Sequence, residues 1–97
     1  MKRPSRRGDQ PVVLAETLDL LAATPLATAL LAKRGQDVVI DGSGVRRLGG
    51  QCLQVLLAAR ATWLADGRSF RITVVSAELA HGLALFGAAD LAPPIEA

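Results

Sequence analysis

The sequence predicts an α/β fold: a single domain with a mixed, mostly parallel sheet of about four strands and helices packed mainly on one face. Two observations support this prediction. Short apolar runs alternate with longer helical patterns three times along the chain, which is typical of strands joined by crossover helices. The chain has only 97 residues. It can therefore build one core but not two, and few residues remain to cover a second face.

Charge separates the ends of the chain from its body. Four of the eleven basic residues, Lys2, Arg3, Arg6 and Arg7, lie in the first eight residues. Residues 9–97 therefore contain seven basic and nine acidic residues, a net charge of −2. We interpret residues 1–10 as a disordered basic tail, residues 11–92 as the folded domain and residues 93–97 as a loose C-terminus. No function is assigned to the tail.

The first elements are a strand and a helix. Residues 11–15 form an apolar run with Pro11 at its first position, which predicts a strand. Residues 18–20 follow as either a brief second strand or a connection. Thr24 and Pro25 then resemble the start of a helix, because Thr can cap a helix and Pro is tolerated at its first position. The predicted helix spans residues 25–34 and stops at Gly35.

The next strand and helix frame a glycine-rich turn. Residues 37–41 are apolar on both faces, which predicts a strand in the centre of the sheet. A helix is predicted from 51 to 66, with Gly67 ending it. Its apolar face is expected to consist of four leucines: Leu53, Leu56, Leu57 and Leu64. Arg60 lies within this face, where we expect its stem to pack and its head to reach water.

The last strand and helix follow the same order. Residues 69–75 alternate, which predicts a strand with Phe70, Ile72 and Val74 on its buried face. Ser76 is expected to cap a final helix that ends at Gly87. The apolar face of this helix is predicted to contain Leu79, Leu83 and Phe86.

The glycine-rich turn does not match known phosphate loops. Four of the nine glycines fall between residues 42 and 50, after a strand and before a helix, where backbone amides can hold an anion. A dinucleotide fingerprint requires a glycine where this chain has Arg47, and a P-loop requires Lys after its last glycine where this chain has Gln51. The spacing therefore argues against nucleotide binding, and we predict no cofactor.

The remaining reactive residues do not form a catalytic or metal site. His81 is the only histidine and is predicted to lie opposite Leu79 and Leu83, in solvent. Cys52 is the only cysteine, so it has no partner for a disulfide or a zinc site, and we interpret it as a small buried residue. The aspartates form no recognisable acid–base pair. We therefore predict a protein that is not an enzyme and binds no metal.

Composition also narrows the partner and the compartment. Trp63, Phe70 and Phe86 are the only aromatic residues, too few for a single-stranded nucleic-acid platform. No apolar window approaches the ~18 residues of a membrane span, and the basic start is not followed by a secretory apolar run. We expect a cytoplasmic protein without nucleic-acid binding or direct membrane insertion. Homo-oligomerisation is left open.

At this point the residues resemble a family. The run Asp41-Gly-Ser-Gly-Val45, with Leu48 and the apolar segment to Gly67, is similar to the STAS domain of anti-sigma factor antagonists. The early Leu18-Asp19 and the later residues 70–76 and 85–87 fit the same pattern, and the resemblance covers about residues 12–91. It implies a STAS-like domain over residues 11–92, with a partner-binding surface at the turn.

The resemblance also implies how the chain differs from its relatives. In that family a Ser or Thr at the start of the second long helix is phosphorylated by a partner kinase, and here that position is Gly50. Short STAS proteins that lack the serine resemble this chain most, and they are encoded beside chemotaxis kinases in alphaproteobacteria. The implied partner is a chemotaxis histidine kinase or response regulator. The alternatives are an anti-sigma factor, or a lipid-transport ABC system of which this chain would be the STAS subunit.

The predicted contact residues lie on the turn and the exposed side of the following helix. The arginines would assist encounter with the partner, and the glycines would allow its close approach. The predicted partner-binding residues are Arg46, Arg47, Gly49, Gly50, Gln51 and Gln54.

Overall fold

The computed structural model describes residues 10–91, which form five strands and three α-helices. In chain order these are β1 (Val12–Val13), β2 (Thr17–Leu18), α1 (Leu20–Leu31), β3 (Val38–Gly42), β4 (Arg47–Leu48), α2 (Gly50–Ala65), β5 (Phe70–Val75) and α3 (Ala77–Leu85), followed by a 3₁₀ helix at Ala89–Leu91. The predicted basic tail, apart from Gln10, and the predicted loose C-terminus lie outside the described residues.

The strands form two parallel sheets, which confirms the α/β class. A three-stranded sheet has the order β1-β3-β5, so β3 is central as predicted, and β2 pairs with β4 in a second, two-stranded sheet. Each of these pairings is parallel. The number of strands is five rather than about four, because two-residue strands such as β4 leave no apolar run in the sequence.

The helices cover one face of the three-stranded sheet. Val12, Ile40 and Ile72 lie in one row across the strands, and all three are buried in the core with the apolar sides of the helices. On the opposite face Val13 and Arg71 are exposed. The arrangement agrees with the predicted packing of helices mainly on one side.

Helix α1 begins earlier than predicted. It starts at Leu20, because the Asp19 side chain accepts a hydrogen bond from the Ala22 amide at 3.2 Å and caps the helix. The predicted start at Pro25 was wrong, and Pro25 lies inside the helix. Its missing N–H removes one hydrogen bond to the Leu21 carbonyl, a loss that water offsets at an exposed position. The helix ends at Leu31 rather than at residue 34.

Helix α2 has a different buried face from the one predicted. Leu53 and Leu56 are buried as expected, but Leu64 is 67% exposed and Trp63 is buried in its place. The indole Nε1 of Trp63 donates to the Gln36 carbonyl at 2.7 Å, and its ring meets Phe70 edge-on at 6.0 Å. Because the indole fills the space between helix and strand, the buried stripe is rotated by one residue from the leucine pattern.

A bulge changes the alternation of β5. Ile40 pairs with Ile72, but Asp41 pairs with Val74, so Thr73 is an extra residue on β5. Past the bulge the two faces exchange places: Val74 is 50% exposed, while Val75 packs against the core. The predicted burial of Val74 was therefore wrong, because one inserted residue turns every later side chain to the other face.

The limits of α3 agree with the prediction. The Ser76 hydroxyl accepts a hydrogen bond from the Leu79 amide at 3.0 Å and caps the helix, and Leu79 and Leu83 are fully buried. Phe86 was expected on the same face but is 50% exposed, because it lies at the C-cap, where the chain already turns away. Gly87 follows with φ of 72°, a left-handed conformation that favours glycine and ends the helix.

Candidate functional site

The glycine-rich segment lies at the carboxyl end of the three-stranded sheet, between β3 and α2. Gly42 permits the closest contact there: a Cβ on this residue would lie 2.5 Å from Cδ2 of Leu79 and 3.0 Å from the Val74 carbonyl. The Ser76 hydroxyl also donates a hydrogen bond to the Val45 carbonyl. This part of the segment is therefore held tightly against α3 and serves the fold.

The β2–β4 pair sets the position of the two arginines. The amides of Arg46 and Arg47 donate to the Glu16 carbonyl at 2.7 and 3.2 Å, and Arg47 is in register with Thr17. Both arginine side chains are exposed. The backbone of this stretch is therefore fixed by pairing, while its two cationic side chains point to solvent.

The two glycines at the start of α2 occupy different environments. The amide of Gly49 donates to the Leu18 carbonyl at 2.7 Å, and a Cβ at position 49 would lie 3.1 Å from that same oxygen. A Cβ on Gly50 would meet nothing within 4 Å. Gly49 is thus needed for the close approach of β2, whereas Gly50 leaves a bare patch of backbone on the surface.

The beginning of α2 is an uncapped helix end. Gly49 is its N-cap and provides no side-chain hydrogen bond, and the first turn contains no acidic residue. The free amides and the helix dipole make this end electropositive. Gln51 and Gln54 are exposed beside it. All six residues predicted from the sequence lie on one stretch that begins at Arg46, just before β4, and ends in the second turn of α2.

Sequence reasoning missed the neighbouring residues of β2 and α1. Thr17 is exposed beside Arg47, and Asp19 lies close to Gly49, whose Cβ would be 3.8 Å from the Asp19 Cα. The following Leu20 is 70% exposed. The sequence did indicate an earlier start of α1, because Asp19 is a residue type that caps helices and it precedes an apolar run. The second possible start at Thr24 and Pro25 was chosen instead.

Two titratable groups near the segment have shifted pKa values. Hydrogen bonds from the side chain and the amide of Ser43 hold the pKa of the Asp41 carboxyl below its ordinary value. Burial raises the pKa of the Cys52 thiol, and the charge of Asp19 acts in the same direction. Cys52 Sγ donates to the Asp19 carbonyl at 3.2 Å. The thiol is fully buried, which confirms its interpretation as a packing residue.

The other reactive side chains are dispersed. His81 is exposed on α3, on the side away from Leu79 and Leu83, as predicted. Arg60 is 30% exposed and pairs with Asp90 at 2.9 Å, so its head reaches the surface as expected. Within residues 10–91 no three His, Cys, Asp or Glu side chains are arranged to hold a metal ion. No helix in this range is long and apolar enough to cross a membrane.

Comparison with protein-family models identifies the family of the chain. The model of the family described as "Mlab, STAS domain" matches residues 3–93, nearly the whole chain. The chain belongs to this STAS family. The resemblance inferred from the turn and its flanking elements is thereby confirmed. No curated protein and no solved structure matches the chain.

Membership of the family indicates the general role of the domain. STAS domains are generally non-catalytic binding modules that mediate protein–protein interactions. In this STAS domain residues 49–54 include no serine or threonine. The surface between β4 and α2 therefore consists of an uncapped helix end, two arginine side chains and two glutamine side chains, with no hydroxyl among residues 49–54.

Proposed function

We propose that this STAS domain is a non-enzymatic interaction module in bacterial signal transduction, which binds a chemotaxis histidine kinase or its response regulator. Its partner surface would consist of Arg46, Arg47, Gly49, Gly50, Gln51 and Gln54. The observation that carries the proposal is the bare backbone at Gly50, which lies at an uncapped helix end between exposed arginine and glutamine side chains.

The chemistry of this surface suits a partner with an acidic or hydrogen-bond-accepting patch. The two arginines would speed encounter with such a patch, and the free backbone amides at the start of α2 would donate hydrogen bonds to one of its oxygen atoms at close range. Gly49 would contribute by holding the start of α2 in position, since its amide already donates to the Leu18 carbonyl at 2.7 Å. Because residues 49–54 include no serine or threonine, binding would not be switched by phosphorylation within that stretch.

The proposal is tested by binding with purified partners. The full chain would be titrated against chemotaxis histidine kinases and response regulators, and against an anti-sigma factor and the ATPase of a lipid-transport ABC system. We expect saturable binding to a chemotaxis protein. Binding only to one of the other two would overturn the chemotaxis assignment, and binding to none of them would overturn the proposed function.

A matched pair of glycine variants tests the surface itself. Gly50→Arg places a bulky cation on the bare backbone, and we expect it to weaken partner binding at least ~10-fold, as expected at the centre of an interface. Gly44→Arg adds the same side chain at another open position, outside the proposed surface, and should change binding less than ~3-fold. Neither glycine has a positive φ, so both variants should fold. Equal effects of the two variants would contradict the assignment.

A further inference from the structure

Helix α1 has large apolar side chains on its exposed side as well as on its buried side. Its sequence, LLAATPLATALL, contains no charged residue. The inner side buries Leu26 and Leu30, yet on the outer side Leu20, Leu21 and Leu31 are 70%, 84% and 62% exposed. A helix with large apolar side chains outside its buried face is ordinarily covered there as well. The described residues leave the outer side of α1 uncovered, so this side suits an apolar partner.

The exposed side of α1 has a pattern that can pair with itself. Four residues, of which Ala27 is half-buried and the others are exposed, follow the i, i+4, i+7, i+11 spacing of a helix–helix seam: Leu20, Thr24, Ala27 and Leu31. The side chains of this seam are large at both ends and small in the middle. Antiparallel pairing with a second copy would set Leu20 against Leu31 of the other chain and Thr24 against its Ala27. The small central pair lets the helices approach, and a leucine pair closes each end.

Charge favours the antiparallel direction. Asp19 lies just before α1, and Lys33 and Arg34 lie just after it. An antiparallel pair places Asp19 near the two cations of the second copy, whereas a parallel pair places Asp19 beside Asp19 and aligns the helix dipoles. Arg34 already pairs with Asp66 at 3.0 Å, and Lys33 Nζ donates to the Gln10 carbonyl at 3.0 Å. The added contacts would therefore set the direction more than the strength of pairing.

A groove beside α1 provides the complementary shape. It has a volume of about 230 Å³, runs between the C-terminal half of α1 and α2, and is lined by apolar residues that include Leu31, Val55 and Trp63. In the antiparallel arrangement the projecting leucines at the start of one α1 reach this groove in the other copy. A two-fold axis repeats the contact, so each chain would insert its leucines into the groove of the other copy and accept that copy's leucines in its own groove.

We propose that two copies of this chain associate through α1, packed antiparallel about a two-fold axis. This surface is distinct from the proposed partner surface. The helix has twelve residues. It is therefore only ~18 Å long, and the contact falls below the ~1,200 Å² of a standard interface. The dimer is accordingly expected to be weak and reversible.

Sedimentation equilibrium of the full chain, from about 1 μM to about 1 mM, tests the dimer across the range that a small interface implies. Leu20→Glu and Leu31→Lys should each weaken association at least ~10-fold, because the symmetry changes two contacts at once. Each substitution places a charge where the helix dipole favours it, so the monomer should remain folded. The double variant would form two Glu–Lys pairs and should associate at least ~5-fold more tightly than either single variant.

Two controls complete the test. Leu85→Glu changes a leucine that is 73% exposed on α3 and should leave association unchanged, as should Gly50→Arg. Since Gly50→Arg should affect only partner binding, failure of the dimer and failure of the proposed function are told apart. A monomer at every concentration, a double variant weaker than both single variants, or an equal loss with Leu85→Glu would each overturn the proposal. A monomer would leave the α1 face to a helix of another protein.

Discussion

Two adjacent glycines at the start of α2 are expected to respond in opposite ways to alanine. At Gly49 the new Cβ would lie 3.1 Å from the Leu18 carbonyl oxygen, which also accepts the Gly49 amide at 2.7 Å. The oxygen cannot move away without lengthening that hydrogen bond. Alanine is also a poorer N-cap than glycine. Together these effects should cost about 1–2 kcal/mol of unfolding free energy.

At Gly50 the same change should be favourable. The residue is the first of α2, does not have a positive φ and has open space where the Cβ would be. Alanine restricts the unfolded chain more than glycine does and is a better helix former. The variant should therefore be more stable by about 0.5 kcal/mol.

Urea unfolding followed by tryptophan fluorescence measures both changes, because Trp63 is the only tryptophan and is buried. Gly49→Ala should also lower the melting temperature by about 5–10 °C, as expected for a domain of this size. An unchanged midpoint for Gly49→Ala would refute the argument from close approach. A larger loss for Gly50→Ala than for Gly49→Ala would show that the two positions have been assigned the wrong way round.

Two further predictions concern single hydrogen-bonded groups. Ser76→Ala removes both the cap on the Leu79 amide and the hydrogen bond to the Val45 carbonyl, and should lower the unfolding free energy by about 1–2 kcal/mol in urea titrations, with Ser76→Thr closer to the wild type. Arg34 lowers the pKa of Asp66, first through a hydrogen bond, so this pair stabilises the fold above the ordinary carboxyl pKa and loses its effect as pH falls through the lowered value. In an NMR titration Arg34→Ala should raise the Asp66 midpoint, and an unchanged midpoint would contradict the role of Arg34.

The sequence predictions were accurate where an element depends on residues close together in the chain, and inaccurate where it depends on distant ones. The limits of α3 were predictable because Ser76 and Gly87 act on the backbone within a few residues. The start of α1 was not, because two competing start signals, Asp19 and Thr24 with Pro25, lie five residues apart. The choice between them depends on the position of β2, which directly precedes Asp19 and pairs with β4, a strand thirty residues later in the chain (Thr17 with Arg47).

The candidate site shows the same division. The six residues were proposed from the sequence because glycines, arginines and glutamines between two apolar elements mark an exposed turn. The different roles of Gly49 and Gly50 were not visible, since the Leu18 carbonyl that distinguishes them comes from another part of the chain. The outer side of α1 was also missed, because the helix was assigned too short to reveal its Leu20–Leu31 seam.

Local patterns in the sequence were enough to predict the α/β class, the central position of β3, the helix stops at Gly67 and Gly87, and the exposed turn, because each depends on local backbone preference or on a short periodic pattern. Three features depend instead on contacts between distant parts of the chain: the bulge at Thr73, the burial of Trp63 in place of Leu64, and the pairing of β2 with β4. Those features arise when distant segments compete for the same space or the same hydrogen-bonding groups. A local sequence pattern does not show which segment will occupy that space or form those hydrogen bonds.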